Sequence, residues 1–220
     1  MYKSEKEFFN KWVKPMLRNC KLHRIESAAT APGFPDSYAQ GINCFIELKN
    51  VPEYIVNKQK FTVPWRPGQQ AFAMQELMSK TFLTEIGVAY SKCSWTFMAV
   101  KDGVILIKHN KFFPDNKVEE SSIFRWTKDI EYNLVTFLKI HGYVISINSQ
   151  TSAADYRIKY IKTLLHIWGI LDISSVDFTY EDWFDDGDVA WNSMQASDPW
   201  ELENIAWEIY RNEVLNGKKS

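Results

Sequence analysis

The stretch Gly33-Phe34-Pro35-Asp36-Ser37-Tyr38-Ala39-Gln40-Gly41-Ile42-Asn43-Cys44-Phe45-Ile46-Glu47-Leu48-Lys49 decides how this chain is read. Ala31-Pro32-Gly33-Phe34-Pro35 is a turn segment. Asp36 to Ala39, then Gln40-Gly41, then Ile42 to Val51 predict a hairpin. Alternate side chains of a strand share a face, so Glu47 and Lys49 point one way while Ile46 and Leu48 enter the core. A turn centred between Gly41 and Ile42 pairs Asp36 with Glu47, since both are equally distant from it. Opposed residues have Cβ atoms about 4.5–5.5 Å apart, and two opposed carboxylates destabilise a hairpin unless something neutralises them. A hard divalent cation with oxygen ligands does so, as Mg2+ prefers, and the Leu48 carbonyl adds one more oxygen. The bland alternative is a surface strand with a Glu–Lys pair and an Asp that starts a turn.

Upstream, residues 4–18 predict a helix: Ser4 and Glu7 have capping-box spacing, and Phe8, Phe9, Trp12, Val13 and Leu17 form a helical stripe. Pro15 kinks or shortens it, and Lys21 to Ser27 reads as a strand. Downstream, residues 52–65 are poorly patterned loop, and Arg66-Pro67-Gly68-Gln69-Gln70 opens a helix with Pro67 in its first turn. Phe72, Leu77, Met78 and Phe82 are its expected inner face. Gly87 to Cys93 and Thr96 to Val100 predict strands, and Asp102-Gly103 a two-residue turn into Val104–Lys108.

The second half is mostly helical by pattern. Ile123, Trp126, Ile130, Leu134, Phe137 and Leu138 have helical spacing, closed by Gly142. Tyr143 to Ile147 predicts a short strand. Ile158, Ile161, Leu165 and Trp168 mark another helix, ended near Gly169, and Pro199 to Leu215 a last one with Leu202, Ile205, Ile209 and Leu215 on its apolar side. Between them lies an acidic stretch, Asp177, Glu181, Asp182, Asp185, Asp186 and Asp188.

The net charge of −1 hides a division: residues 1–115 carry 16 Lys and Arg against 10 Asp and Glu, and residues 116–220 carry 10 against 17. A basic half suits a polyanion, and the acidic half suits another task, such as a protein partner. No stretch is apolar enough for a transmembrane helix or a secretory leader, so a cytoplasmic chain without a membrane partner is expected. Cys20, Cys44 and Cys93 form no CxxC pair, and His23, His109, His141 and His166 have no zinc spacing. Nucleotide phosphate loops and a GxSxG nucleophile are absent. Asp182 to Asp188 fails as a calcium loop, because Phe184 and Ser193 occupy ligand positions.

Gly33-Phe34-Pro35-Asp36, the Gly41 turn, Phe45-Ile46-Glu47-Leu48-Lys49 and Arg66-Pro67-Gly68-Gln69 together resemble the PD-(D/E)XK nuclease superfamily. Within it the likeness is to small Holliday-junction-resolvase-like and VRR-NUC-like endonucleases, many from phages, and it covers roughly residues 4–110. The resemblance implies a restriction-endonuclease-like core; with the elements and charge division read above, the expected fold is mixed α/β, with that core over 1–115 and a mostly helical acidic extension over 116–220. It implies that Asp36 and Glu47 hold Mg2+, for which Mn2+ substitutes, and that Lys49 positions the attacking water or stabilises the phosphate. A further acidic ligand belongs on the first helix, where Glu7 is the first choice, although it also completes the Ser4 cap; Glu5 and Glu26 are its substitutes. Gln69 would lie near the site, with Gln70 leaving its register open. Arg66 would hold a phosphate, or is simply a surface arginine, and Lys58, Lys60 and Trp65 offer charges and an aromatic face to DNA, with packing the plainer role for Trp65. The implied activity is metal-dependent endonucleolytic cleavage of DNA, including branched DNA, where a homodimer would suit the symmetric junction. The rival expectations are a non-catalytic binding or inhibitor protein on a nuclease-like scaffold, and an interaction protein acting through the acidic region.

Overall fold

The computed structural model describes residues 2–25, 33–51, 63–109, 122–148, 150–169 and 199–212. The fold is mixed α/β. Contacts divide the chain into two compact units, Met1–Lys80 with Ser91–Val144, and Thr81–Tyr90 with Ile145–Ser220. The expected boundary at 115/116 lies among residues 110–121, outside the described residues.

The first unit opens with a helical rod: α1 (Glu5–Phe8), a π-helical stretch (Phe9–Val13) and α2 (Lys14–Met16). Ser4 Oγ accepts the Glu7 N–H at 3.2 Å, the expected cap. Pro15 lacks an N–H, and just before it the Lys14 N–H donates to Phe9 O, five residues back. The strands are β1 (Lys21–Arg24), β2 (Ser37–Gln40), β3 (Cys44–Asn50), β6 (Trp95–Val100), β7 (Gly103–Lys108) and β8 (Ile123–Trp126). They form one sheet in the order β1-β2-β3-β6-β7-β8. Its neighbours are antiparallel except β3 and β6, which run parallel with Glu47 opposite Thr96. Between β3 and β6 the chain forms α3 (Pro67–Met78), β4 (Thr81–Leu83) and β5 (Val88–Lys92). The helix α4 (Leu134–His141) follows β8, with Asn133 Oδ1 accepting the Val135 N–H at 2.9 Å as its cap.

One face of the six-stranded sheet is largely apolar: Ile46, Leu48, Phe97, Ala99, Val104 and Leu106 are buried with Phe8, Val13 and Leu17 of the helical rod and Leu134, Phe137 and Leu138 of α4. The buried Ser37, opposite Ile46, and Arg24, over the Phe9 ring, are polar members at its β1–β2 edge. Trp12 meets Phe97 and Trp126 edge-on at 6.0 and 6.4 Å, a favoured aromatic geometry. The other face carries Glu47, Lys49 and Thr96, then an apolar cluster of Val63, Met98, Val100, Ile105 and Ile107.

Three expected elements differ. The helix expected from Ile123 is the strand β8, whose Phe124 and Trp126 alternate onto the apolar face while Ile123 packs on the other; true helical packing starts at Leu134. The turn after β6 is Lys101-Asp102, because Val100 pairs with Gly103. The helix α3 stops at Met78, which is 74% exposed, and Phe82 lies on β4, 60% exposed, so neither forms an inner face. Phe72 is inward as expected, packed on Phe34 and Phe45, and the buried Ala73 joins it.

In the second unit, α5 (Ala153–Ile167) and α6 (Pro199–Tyr210) pack together. Ile161, Leu164 and Leu165 are buried on one helix and Leu202, Ala206 and Ile209 on the other. The strand β9 (Tyr143–Ser146) completes a second sheet in the order β4-β5-β9. Among the described residues no helix is long and apolar enough to cross a membrane.

Candidate active site

The hairpin register places Ser37 opposite Ile46 and Ala39 opposite Cys44, around a turn at Gly41 and Ile42. Extended by one residue, that register sets Asp36 against Glu47, as expected. Gly41 turns the chain with φ +103°, a conformation that favours glycine. Asp36 does not lie free at the strand end: its Oδ2 accepts the Leu48 N–H at 2.6 Å, across the hairpin.

Glu47 is the centre of the polar group. It is only 5% exposed. Its Oε1 accepts from Lys49 Nζ at 2.6 Å and from Gln69 Nε2 at 2.5 Å. The Gln69 Oε1 accepts in turn from Lys49 Nζ at 3.3 Å and from the Arg66 N–H at 2.8 Å. Gln69 therefore caps its own helix and bridges the ion pair at once, which settles its register against Gln70. Burial, joined by the negative charge of Asp36, pushes the Glu47 carboxyl up to about 7, and Lys49 pulls the other way.

The helix carboxylates are distinguished by their surroundings. The charge of Glu5 reaches Glu47 and raises its pKa further. Glu7, the first choice by sequence, instead accepts from Lys11 Nζ at 2.7 Å and from the Lys3 N–H at 2.5 Å, and these bonds hold its carboxyl below the usual range. Of these two, Glu5 is the carboxylate whose charge acts on Glu47. Glu26, Lys58 and Lys60 lie outside the described residues, as does the acidic stretch from Asp177 to Asp188. Arg66 is exposed at the N-terminal end of α3.

The neighbouring wall joins Thr96, which sequence reasoning did not single out, to His109 and Trp65, and it gives Trp65 a packing role. Trp65 Nε1–H donates to Thr96 Oγ1 at 2.9 Å, and Thr96 Oγ1 lies 2.7 Å from His109 Nε2. Burial and the Lys49 charge push His109 down to about 3, which favours its neutral form. The only sequence signal for this wall is the parallel pairing that brings Thr96 beside Glu47, and a strand pairing across 49 positions has no local signature.

Glu47, Gln69, Ser94 and His109 also line a small cavity of about 10 Å³, measured by the travel of a water-sized sphere, roughly the room for one water. Among the described residues Glu47 Oε2 is buried without a hydrogen-bond partner. A buried carboxylate oxygen with no donor, beside a second carboxylate, fits a hard cation. Mg2+ commonly takes one or two carboxylates and keeps several waters. Asp36, Glu47 and the Leu48 carbonyl meet that modest demand, although no cluster of three or more His, Cys, Asp and Glu side chains is placed around a metal among the described residues.

No protein-family model, curated protein or solved structure matches this chain.

Proposed function

We propose that this chain is a metal-dependent DNA endonuclease with a restriction-endonuclease-like core of the PD-(D/E)XK superfamily. The observation that carries the reading is the buried Glu47, set in register with Asp36 and tied to Lys49, with one carboxylate oxygen left without a donor. The order helix, three antiparallel strands, helix, then a strand beside the third supports the same reading.

In this proposal Asp36, Glu47 and the Leu48 carbonyl hold Mg2+ or Mn2+, with Glu5 rather than Glu7 as the further carboxylate. The cation, when bound, lowers the pKa of a coordinated water and neutralises charge on the phosphate. Lys49 is held by Glu47 and Gln69 so that its ammonium offers a fixed positive charge to the reacting phosphate. Gln69 orients both members of that pair. Arg66, with Lys58 and Lys60, meets the DNA backbone. A homodimer on branched DNA and a protein partner for the acidic region are the corresponding assembly proposals.

The test is purified protein on supercoiled, linear, single-stranded and four-way DNA with Mg2+, Mn2+ or EDTA. Cleavage with either metal, lost in EDTA and in Asp36→Ala, Glu47→Ala and Lys49→Ala, is the expected result. Binding of DNA should largely survive Lys49→Ala, since many charges contribute. The engagement of Glu47 Oε1 by both Lys49 and Gln69 favours one second reading, a non-catalytic DNA-binding scaffold. That reading expects binding indifferent to EDTA and no cleavage of any substrate.

A further inference from the structure

Phe34 lies two residues before Asp36 and is 42% exposed. Its ring is not loose. It packs on Phe72 of α3 at 4.6 Å between centroids and meets Phe45 of β3 edge-on at 6.4 Å. Phe45 and Phe72 are themselves 5.0 Å apart, and Tyr38 stands 5.0 Å from Phe45. The backbone beneath Phe34 is equally fixed. Gly33 has φ +100°, and a Cβ there would lie 2.2 Å from the carbonyl carbon of Gly68. The loop before Asp36 is thus pressed onto the first turn of α3, the turn that carries Arg66 and Gln69. Gly33, Pro35 and Phe72 line the same small cavity as Glu47 and Gln69. A rigid, half-exposed aromatic ring therefore adjoins the candidate metal site, with an exposed arginine on the adjoining turn.

We infer that Phe34 is a stacking platform for an unpaired nucleobase beside the phosphate that a cation held by Asp36 and Glu47 would bind. The inference rests on the nuclease reading and names its substrate class: DNA with an unpaired nucleotide at the cut, single-stranded or branched, in preference to uninterrupted duplex. The physical reason is that bases within a duplex already stack on their neighbours and present only their edges. An unpaired base offers its whole face, and stacking on an aromatic side chain is independent of its sequence. Because Phe34 is already ordered by Phe72 and Gly33, little side-chain freedom is lost when a base covers it.

The experiment measures binding of the full-length protein in EDTA, where no hydrolysis runs, to single-stranded, forked and fully paired DNA of one sequence. The forked and single strands carry 2-aminopurine, whose fluorescence falls on stacking. Wild type should quench the probe and favour unpaired over paired DNA. Phe34→Ala should weaken binding to single-stranded and forked DNA by at least about fivefold, leave duplex binding unchanged and abolish the quench. Phe34→Trp should restore both readouts and Phe34→Leu neither; this pair of bulky variants decides the matter if the alanine variant does not fold. Equal weakening on all three DNAs, no weakening, rescue by leucine, or a wild type indifferent to pairing overturns the inference. A cleavage assay separates it from its premise. Metal-dependent cutting with no dependence on Phe34 leaves the nuclease reading intact and removes the platform. No cutting, with Phe34-dependent binding of unpaired DNA, does the reverse.

Discussion

The two faces of the six-stranded sheet are made by the same strands and differ residue by residue. Along β3, Ile46 and Leu48 enter a dry core with Phe97 and Phe8, while Glu47 and Lys49, one step along, face Gln69 of α3. The first face is apolar along β3, β6 and β7, with Arg24 and Ser37 as its polar members on β1 and β2. The second begins polar at Glu47, Lys49 and Thr96 and turns apolar at Met98 and Ile105. Stability and chemistry are thus separated by a single peptide unit. A truncation on the apolar face should cost most in folding, and one on the polar face should cost the proposed chemistry while the chain still folds.

Phe97→Ala should test that separation most severely. Phe97 is fully buried, and its truncation should cost about 3–5 kcal/mol, read as a lowered urea midpoint. Glu47→Gln, one face away, should abolish cleavage while the protein stays folded. If Glu47→Gln unfolds the protein as Phe97→Ala does, the two faces are not independent.

The next effect is a pH dependence that belongs to the polar face alone. The Glu47 carboxyl is raised to about 7 from about 4.5, so the folded chain holds this proton more tightly than the unfolded chain. The stabilisation is complete below about pH 4.5 and is lost as pH rises through 7, up to about 3 kcal/mol by linkage. Denaturation of wild type should show that decline, and Glu47→Gln should be flat across the same window. Mg2+ at pH 8 should raise the melting temperature of wild type and not that of Glu47→Gln.

Two glycines sharpen the comparison at a smaller scale. Gly33 and Gly41 have nearly equal φ, +100° and +103°, so alanine at either suffers similar backbone strain, about 1–3 kcal/mol. A Cβ at Gly41 meets nothing within 4 Å, whereas at Gly33 it strikes Gly68. Gly33→Ala should therefore be the more destabilising and should lower cleavage even where folded; equal melting temperatures would refute the close packing of this loop on α3. The smallest effect is expected at the helix carboxylates. Glu5→Gln should weaken Mg2+ binding by a few-fold in calorimetry, and Glu7→Gln should not change it.

How much of this was legible depends on range. The Asp36–Glu47 pairing was readable because a hairpin register follows from a local turn, and the Ser4 cap and Gly169 stop are equally local. Phe82 and Ile123 were misassigned for the same reason in reverse: apolar residues at helical spacing are indistinguishable from short strands until a partner is known. The Thr96–His109–Trp65 wall was invisible, because Thr96 meets Glu47 only through a parallel pairing across a long crossover. Glu7 drew attention through its capping pattern, yet that same pattern turns its carboxylate toward Lys3 and Lys11 rather than toward the site.

The single parallel pairing in the main sheet also has a temporal consequence. The hairpin of β2 and β3 closes a short loop, an event of about 1–10 microseconds in isolated hairpins. Thr96 reaches Glu47 only after the chain between β3 and β6 has been gathered, and contacts so distant in sequence slow folding. The two carboxylates therefore meet early, in water, where their repulsion is well screened. Glu47 enters a buried setting only when β6 docks and α3 brings Gln69 to it, while Asp36 stays half-exposed. A divalent cation present during refolding would act on that second stage, speeding the docking of β6 while leaving hairpin closure unchanged.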